Sequence, residues 1–233
     1  MSRVVDGDTV VVDVGLETIT VRLLGINSPE TDECFHDEAT SQLMTTINGE
    51  TVGIDVRGQD QFERTLAYLW DKDEMVNLEI VDRGLAIAKT PDEADPYGQV
   101  LLASEQTAFE SAVGLWGRSV CGASGEVPAI TLDPSGYDSP GADDTALADE
   151  TIIVTNSGEV SADIGGFTLR DESSVHRLLF PDGTNLEPGQ SIRVTSDDLA
   201  WKPGGGPVWN NDGDMALLLD SHGRVVARSR YRP

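Results

Sequence analysis

The chain begins with apolar and polar residues that alternate in the way that paired β-strands require. Gly15 separates two alternating runs, as the turn of a hairpin would. Strand patterns in this part of the chain lie at residues 4–26, 52–56 and 65–70. Apolar residues at helical spacing lie at 37–47, about 75–84 and about 97–113. Five strands with three helices predict an OB-fold barrel with helical additions.

From residue 150 onward every pattern is a strand pattern, and turn residues separate the strands at short intervals. The predicted strands lie at 151–154, 167–169, 177–180, 191–194, 215–219 and 225–227. Regular short strands of this kind are typical of a β-sandwich. We therefore predict a mainly β protein with two domains, at 1–120 and 150–233. Residues 121–149 are rich in Gly, Pro, Ser and acidic residues, and we interpret them as a linker and the irregular start of the second domain.

The charge of the chain adds a constraint on its surroundings. There are 41 acidic residues but only 13 arginines and three lysines, which gives a net charge of -25. An acidic, lysine-poor surface stays hydrated when salt is high, and at 1 M salt the Debye length is only about 3 Å. We interpret the composition as an adaptation to a high-salt environment; an acidic secreted protein from an ordinary habitat is the alternative. Either way, long-range attraction to a polyanion is not expected.

The sequence leaves the cellular compartment open between two alternatives. There is no apolar run of about 20 residues, and the amino-terminal residues contain no apolar segment of an export signal. The protein is either cytoplasmic or begins after a removed signal, and we expect an extracellular or cell-envelope location. Cys34 and Cys121 are either two reduced thiols or one disulfide that encloses the first domain, and we expect the disulfide.

Three stretches of the first domain carry the candidate chemistry: residues 5–10 with Asp8, residues 21–30, and Arg64. Together they offer oxygen ligands for a hard cation, a possible base and two guanidiniums, which suits hydrolysis of a phosphodiester. Taken alone, Asp6-Gly7-Asp8 would be interpreted as a polar turn.

Five motifs in order give the first domain, over about residues 4–116, a resemblance to the staphylococcal nuclease (thermonuclease) family. They are Val5-Asp6-Gly7-Asp8-Thr9, Arg22 to Glu30, Arg64-Thr65-Leu66-Ala67-Tyr68, Val76-Asn77 with Arg83-Gly84-Leu85-Ala86, and Gly114-Leu115-Trp116. The second domain, over about 127–233, resembles the lamin tail domain, an immunoglobulin-like sandwich. Its motifs are Asp149 to Gly158, Ile164 to Leu169, Leu186-Glu187-Pro188-Gly189 and Trp209 to Asp214.

The nuclease resemblance implies a calcium site, although another divalent cation would also suit its oxygen ligands. Asp8 is then a direct ligand, position 27 a second, the Ser28 main-chain carbonyl a third, and Asp6 an outer carboxylate. The sequence departs from the family here, since the usual residues at 27 and 28 are aspartate and threonine. Asn27 keeps one oxygen and loses a charge, so we expect weaker calcium binding.

The same resemblance assigns the groups that handle the substrate. Glu30 positions or deprotonates the attacking water, and Arg22 and Arg64 bind the phosphate and stabilise its growing charge. Phe62 stands where a tyrosine is usual and is a candidate to stack on a base. The implied substrate is DNA, and RNA as a second candidate, cut within the chain to leave 3′-phosphate ends. His36 lies near the Pro29-Glu30 loop, where we expect a solvated histidine.

Three functional hypotheses follow, with a metal-dependent endonuclease in the lead. The second is a barrel that has lost catalysis and binds nucleic acid, which Asn27 favours. The third places the function in the sandwich, as a targeting or anchoring module for a partner that the sequence does not identify. The arginines at 224, 228, 230 and 232 form a small basic end that either contacts an acidic surface or solubilises the last strand. We expect a monomer without a membrane span.

Overall fold

A computed structural model describes residues 3–47, 49–92, 94–123, 126–137, 147, 150–198, 200–203, 208–210 and 212–231. The chain divides into two compact units, Met1–Gly117 and Arg118–Pro233. Among the described helices, none combines the length and the apolar character needed to cross a membrane.

The first unit is built on a twisted sheet of six strands. Its strands are β1 (Arg3–Asp6), β2 (Thr9–Val14), β3 (Glu17–Leu23), β5 (Gly53–Gln59), β6 (Thr65–Asp71) and β7 (Glu74–Met75), and a separate pair is formed by β4 (Ile26–Asn27) and β8 (Ile87–Ala88). The order is β1-β2-β3-β6-β5, with β7 on β6. Among the described strands of this sheet, only the β3–β6 pair is parallel, and the other pairs are antiparallel. This is the predicted OB-fold barrel.

Three helices and a short 3-10 turn complete the first unit. They are α1 (His36–Ile47), α2 (Val76–Asp82), α3 (Gly98–Glu110) and the 3-10 turn Gly114–Trp116. α1 directs Ala39, Leu43 and Ile47 into the core, the i, i+4, i+8 stripe that its sequence predicts. The barrel strands supply the opposing apolar side chains, among them Val10, Val21, Leu23, Ala67 and Leu69. Helix α3 is shorter than the helix predicted over about 97–113. It ends early because the chain turns at Ala112, where φ is +52°.

The second unit is a sandwich of two antiparallel sheets, as predicted. One sheet has the order β15-β10-β9 and the other β16-β13-β12-β17-β18, with β11–β14 as a separate ribbon. In chain order the strands are β9 (Ile130–Gly136), β10 (Thr151–Asn156), β11 (Ala162–Asp163), β12 (Thr168–Arg170), β13 (Arg177–Leu179), β14 (Asn185–Leu186), β15 (Ser191–Thr195), β16 (Trp201–Lys202), β17 (Asp214–Leu219) and β18 (Val225–Tyr231). Both sheets contribute to one core, in which Trp201 and Trp209 meet edge to face at 5.7 Å.

Strand β9 lies within the segment interpreted as a linker and irregular start, so the sequence pattern missed it. It pairs with β10 from Ile130↔Asn156 to Gly136↔Thr151, with an irregularity in register near its end. Its sequence hides the pattern, since only Ile130 and Leu132 are apolar and buried, and Pro134 and Gly136 are typical of turns. The acidic stretch 138–146 that follows lies outside the described residues.

Both cysteines of the chain, Cys34 and Cys121, are disulfide-bonded, so the predicted disulfide is present. It closes a long segment of sequence, and closing such a loop reduces the conformational freedom of the unfolded chain. The alternative of two reduced thiols is wrong for this structure.

The basic end of the chain is partly neutralised inside the second unit. Arg224 forms a buried ion pair with Asp220 at 2.8 Å, and Arg230 contacts Glu172 at 3.1 Å. These two guanidiniums therefore form ion pairs within the sandwich. Arg232 lies outside the described residues.

A buried carboxylate of the sandwich makes its stability depend on pH. Asp214 is fully buried and accepts hydrogen bonds from the backbone of Glu172 and Met215 and from Asn210. Burial, with the nearby charges of Glu172 and Asp171, raises the pKa of Asp214 to about 7. Between about pH 4 and that value the folded chain keeps a proton that the unfolded chain has lost, so the contribution of Asp214 to stability falls as pH rises.

Replacing Asp214 by asparagine is expected to remove this loss. The free energy of unfolding of Asp214→Asn minus that of wild type should increase by at least about 1.4 kcal/mol between pH 5 and pH 8, the equivalent of one pKa unit. Thermal or urea unfolding at the two pH values measures the difference, with the exposed Asp182→Asn as a control. A difference that does not change with pH would contradict the prediction.

Candidate active site

The candidate site begins at the turn between β1 and β2, where Asp8 is 5% exposed. The backbone there must come close to α1, because a Cβ built on Gly7 would lie 2.6 Å from the Cβ of Ala39 and 2.8 Å from that of Ser28. Only glycine fits this approach. Thr9 pairs with Arg22 across the β2–β3 hairpin, and the Leu23 amide donates to the Asp8 carbonyl at 2.8 Å. The hairpin register thereby brings Asp8 beside Arg22.

Arg22 is the residue that joins the separate parts of the site. Its Nη1 donates to the carbonyls of Leu23 at 2.6 Å and Ile26 at 2.9 Å. Its Nη2 donates to Asn27 Oδ1 at 2.6 Å and lies 3.0 Å from Asp8 Oδ2. The guanidinium is thus fixed by four acceptors, which engage both of its Nη atoms.

Asp8, Asn27 and Ser28 form a compact group of oxygen atoms, each residue being at most 6% exposed. The Ser28 amide donates to Asp8 Oδ2 at 2.8 Å, and the same Arg22 nitrogen touches both Asp8 and Asn27. A carboxylate, an amide oxygen and a main-chain carbonyl are the ligand types that a hard divalent cation takes, so the residues fit such an ion. With one carboxylate only, the group carries less negative charge than an Asp–Asp pair would.

The protonation of Asp8 reflects its burial. Desolvation raises the pKa of Asp8 above its ordinary value, the Arg22 guanidinium opposes this shift, and the charge of Asp6 reinforces it. The Asp6 side chain itself accepts the Asp8 amide at 3.1 Å, the bond of an Asx turn. Asp6 therefore shapes the turn that presents Asp8.

Arg64 lies just before β6 at the second edge of the site. The parallel register pairs Arg22 with Leu66, so Arg64 stands two residues before the partner of Arg22. Its Nε donates to Asp60 Oδ2 at 2.7 Å, and its guanidinium lies 5.5 Å from the centre of the Phe62 ring. Within the described part of the chain, no acceptor binds its two Nη groups.

Asp60 organises the turn that carries Arg64 and Phe62. Its Oδ1 accepts the backbone amides of Phe62 and Arg64, both at 2.9 Å. Burial would raise the pKa of Asp60, but these bonds and the Arg64 side chain outweigh it and hold that pKa below its ordinary value. Phe62 is 68% exposed, so its ring is available to a ligand.

Glu30 follows buried Pro29 in the loop between β4 and α1, and its side chain is exposed. It follows Ser28 by two residues in the chain. The predicted solvated histidine is not free here: His36 Nδ1 contacts the Pro29 carbonyl oxygen at 3.0 Å.

The structure brings Asp8, Arg22, Asn27 and Ser28 into direct contact. The β3–β6 register places Arg64 two residues before the partner of Arg22, and Glu30 follows Ser28 by two residues in the chain. Sequence reasoning missed Asp60 and misjudged His36. The sequence did contain a signal for Asp60. In turns, an aspartate side chain often accepts hydrogen bonds from backbone amides a few residues later. No local signal identifies the His36 contact.

Two family models match the chain and together span most of it. The model described as staphylococcal nuclease homologue matches residues 20–118, and the Lamin Tail Domain model matches residues 128–233.

Curated relatives match about half of the chain. The thermonuclease of Staphylococcus intermedius is 30% identical over 126 residues, which are 51% of this chain and 75% of that protein. Protein ParB of Escherichia coli is 33% identical over 125 residues, which are 49% of this chain and 69% of that protein. An uncharacterized endonuclease of Haemophilus influenzae is 30% identical over 115 residues, which are 49% of this chain and 63% of that protein. The chain therefore belongs to the staphylococcal nuclease family, and it joins the barrel of that family to a lamin tail domain.

Proposed function

We propose that this protein is a metal-dependent nuclease that hydrolyses phosphodiester bonds within DNA, with RNA as a second substrate to test. Family membership supports phosphodiester chemistry, and the arrangement around Arg22 supports a site that can bind a phosphate beside a cation. The roles of individual residues below belong to this proposal.

The two arginines are the phosphate-binding groups. A guanidinium presents planar, paired donors and stays charged, which matches a phosphodiester's oxygens. Arg22 is oriented by its two backbone acceptors, and its Nη2 bonds to Asp8 and Asn27 would have to yield for this nitrogen to bind a phosphate. The Nη donors of Arg64 face no acceptor among the described residues. Bonds from both strengthen as negative charge grows on the phosphoryl oxygens, and this lowers the barrier.

Glu30 is the base that takes the proton of the attacking water. Its exposure lets solvent and substrate reach the carboxylate, while Pro29 and the following turn restrict its backbone. Asp8, Asn27 and the Ser28 carbonyl would hold the divalent cation, calcium being the first candidate. When bound, such an ion stabilises phosphoryl charge and lowers the pKa of water.

The observation that carries the proposal is the single Arg22 guanidinium in contact with both Asp8 and Asn27. The proposal is tested by measuring digestion of single-stranded DNA across calcium, magnesium and manganese concentrations. The assay is run at low salt and at about 1 M salt, where the net charge of -25 is screened. Purified protein that cleaves nothing under any of these conditions would refute the proposal.

The disulfide supports a cellular location outside the reducing cytoplasm. Disulfides persist in oxidising compartments and are rare in ordinary cytosolic proteins. We therefore propose an extracellular or cell-envelope nuclease; fractionation of the native cells with an antibody would test this location.

Asn27 favours a second candidate function, a nucleic-acid-binding barrel with little or no catalysis. The amide supplies one oxygen without charge, so Arg22 and Asp8 together leave the cation site nearly neutral. A neutral site attracts a divalent ion weakly, and an enzyme with an unfilled cation site would be inactive.

Replacing Asn27 by aspartate separates the two candidates. The added carboxylate is expected to raise calcium affinity at least about tenfold, because ligand charge is a main determinant of calcium binding. Calorimetric titration with calcium measures the affinity, and the calcium concentration for half-maximal cleavage measures its effect. For a nuclease, Asn27→Asp shifts a measurable wild-type activity to lower calcium; for a binding module, wild-type cleavage is absent.

Asn185→Asp is the matched control, since it makes the same chemical change at an exposed position of the second unit. It should leave calcium affinity unchanged. An equal gain in both variants would assign the effect to total charge and contradict a role of position 27.

A further inference from the structure

The loop that carries Glu30 is closed by two reciprocal hydrogen bonds. The Glu33 amide donates to the Glu30 carbonyl at 2.8 Å, and the Glu30 amide donates to Glu33 Oε2 at 2.9 Å. The loop is short, running from the end of β4 to the first residue of α1, and Cys34 within it is disulfide-bonded. The backbone around Glu30 is thus tied at several points.

A third bond comes from His36, the first residue of α1. Its Nδ1 lies 3.0 Å from the carbonyl oxygen of Pro29. A carbonyl only accepts, so Nδ1 must carry the proton and donate. The His36 backbone also donates to the Glu33 carbonyl at 3.3 Å, which keeps the imidazole at the start of the helix.

These contacts act on the same peptide group. The Pro29 carbonyl and the Glu30 amide belong to the one peptide plane that joins the two residues. His36 holds its oxygen and Glu33 holds its N–H, so the plane is clamped from opposite sides. The orientation of that plane sets the direction in which the Cα–Cβ bond of Glu30 leaves the backbone.

We propose that His36 is a positioning residue, which aims the Glu30 carboxylate by clamping the Pro29–Glu30 peptide group together with Glu33. The inference rests on the proposed role of Glu30 as the base. Positioning has a large effect on rate, since a misplacement of about 1 Å costs on the order of 100-fold. Glu30 is an exposed residue, so the backbone of its loop has a large part in directing its carboxylate.

Two variants of His36 separate positioning from other roles. Asparagine places an N–H donor the same number of bonds from the backbone as Nδ1, whereas leucine has a similar branch point and no donor. We expect His36→Leu to lower kcat about 10- to 100-fold at an unchanged KM, and His36→Asn to retain most of the wild-type kcat. Both variants should show similar unfolding midpoints, so that a fold defect does not explain the difference.

Other outcomes overturn the proposal. If His36→Leu retains the wild-type kcat, or if both variants lose kcat alike, the hydrogen bond does not position the base. If only KM rises, His36 contacts the substrate instead of the loop. If both unfold at much lower temperature with kcat unchanged in the folded fraction, the histidine only caps the helix.

Amide hydrogen exchange tests the clamp without any reliance on cleavage. The Glu30 amide should exchange faster in His36→Leu than in wild type, and as slowly as wild type in His36→Asn. Equal exchange in all three proteins refutes the clamp even if DNA is cleaved. A wild-type protein that protects this amide but cleaves no DNA refutes the proposed function and leaves the clamp established.

Discussion

Replacing Arg64 by alanine is expected to lower kcat/KM for single-stranded DNA by about 10³- to 10⁵-fold, the range found when an arginine that stabilises phosphoryl transfer is removed. The effect is large because Asp60 engages Nε and orients the guanidinium, so that its Nη donors are pre-positioned for a phosphate. The side chain is about one-third exposed, and its removal should leave the fold intact. Initial rates of oligonucleotide cleavage measure the loss.

Lysine at position 64 is the informative intermediate. It keeps the charge but lacks the planar pair of donors, so Arg64→Lys should recover only part of the lost rate. Arg83→Ala is the matched control, because Arg83 also forms an i,i+4 ion pair, with Glu79, outside the candidate site. If Arg64→Ala cleaves DNA as fast as Arg83→Ala, Arg64 has no part in binding the phosphate.

Glu30→Gln is expected to lower kcat by about 10²- to 10⁴-fold, the usual contribution of a general base. Glutamine keeps the size and polarity of the side chain but cannot take a proton at neutral pH. Because Glu30 is exposed and is not one of the proposed cation ligands, KM and the metal requirement should change little. Single-turnover cleavage with saturating protein measures the chemical step directly.

Glu38→Gln provides the control for lost charge, since Glu38 is an exposed carboxylate in the first turn of α1. It should cleave at the wild-type rate. A rate for Glu30→Gln close to that of Glu38→Gln would show that another group accepts the proton. A rise in the metal concentration needed by Glu30→Gln would instead make Glu30 a cation ligand.

Local patterns predicted most of the fold. The alternation around Gly15 and the apolar stripe of α1 depend on neighbours within one strand or one helical turn, and both are present. Strand β9 escaped prediction because its Pro134 and Gly136 resemble a turn, and its pairing with β10 spans many residues. The two-residue strands, such as β4 and β8, also lack a pattern of their own and exist through their partners.

The candidate site was predicted in part and for a similar reason. Resemblance to a family proposed Asp8, Arg22, Glu30 and Arg64 as site residues, each within a short motif. The use of Arg22 as a bridge between Asp8 and Asn27 depends on the hairpin register, which brings Asp8 of one motif to Arg22 and Asn27 of another. The same holds for Asp60, whose pairing with Arg64 becomes evident only when the turn is folded.

The sequence by itself determined the class of the protein: two β-rich domains, an acidic surface, and the residue types needed for phosphodiester chemistry. Those properties follow from composition and from contacts between near neighbours, which the order of residues specifies directly. Only the tertiary structure decided the contacts of these residues, such as the four acceptors of Arg22 and the contact of His36 with Pro29. Most of these contacts lie between Arg22 and His36 and depend on the folded conformation of that segment, whereas the contact with Asp8 joins a separate turn through the hairpin register.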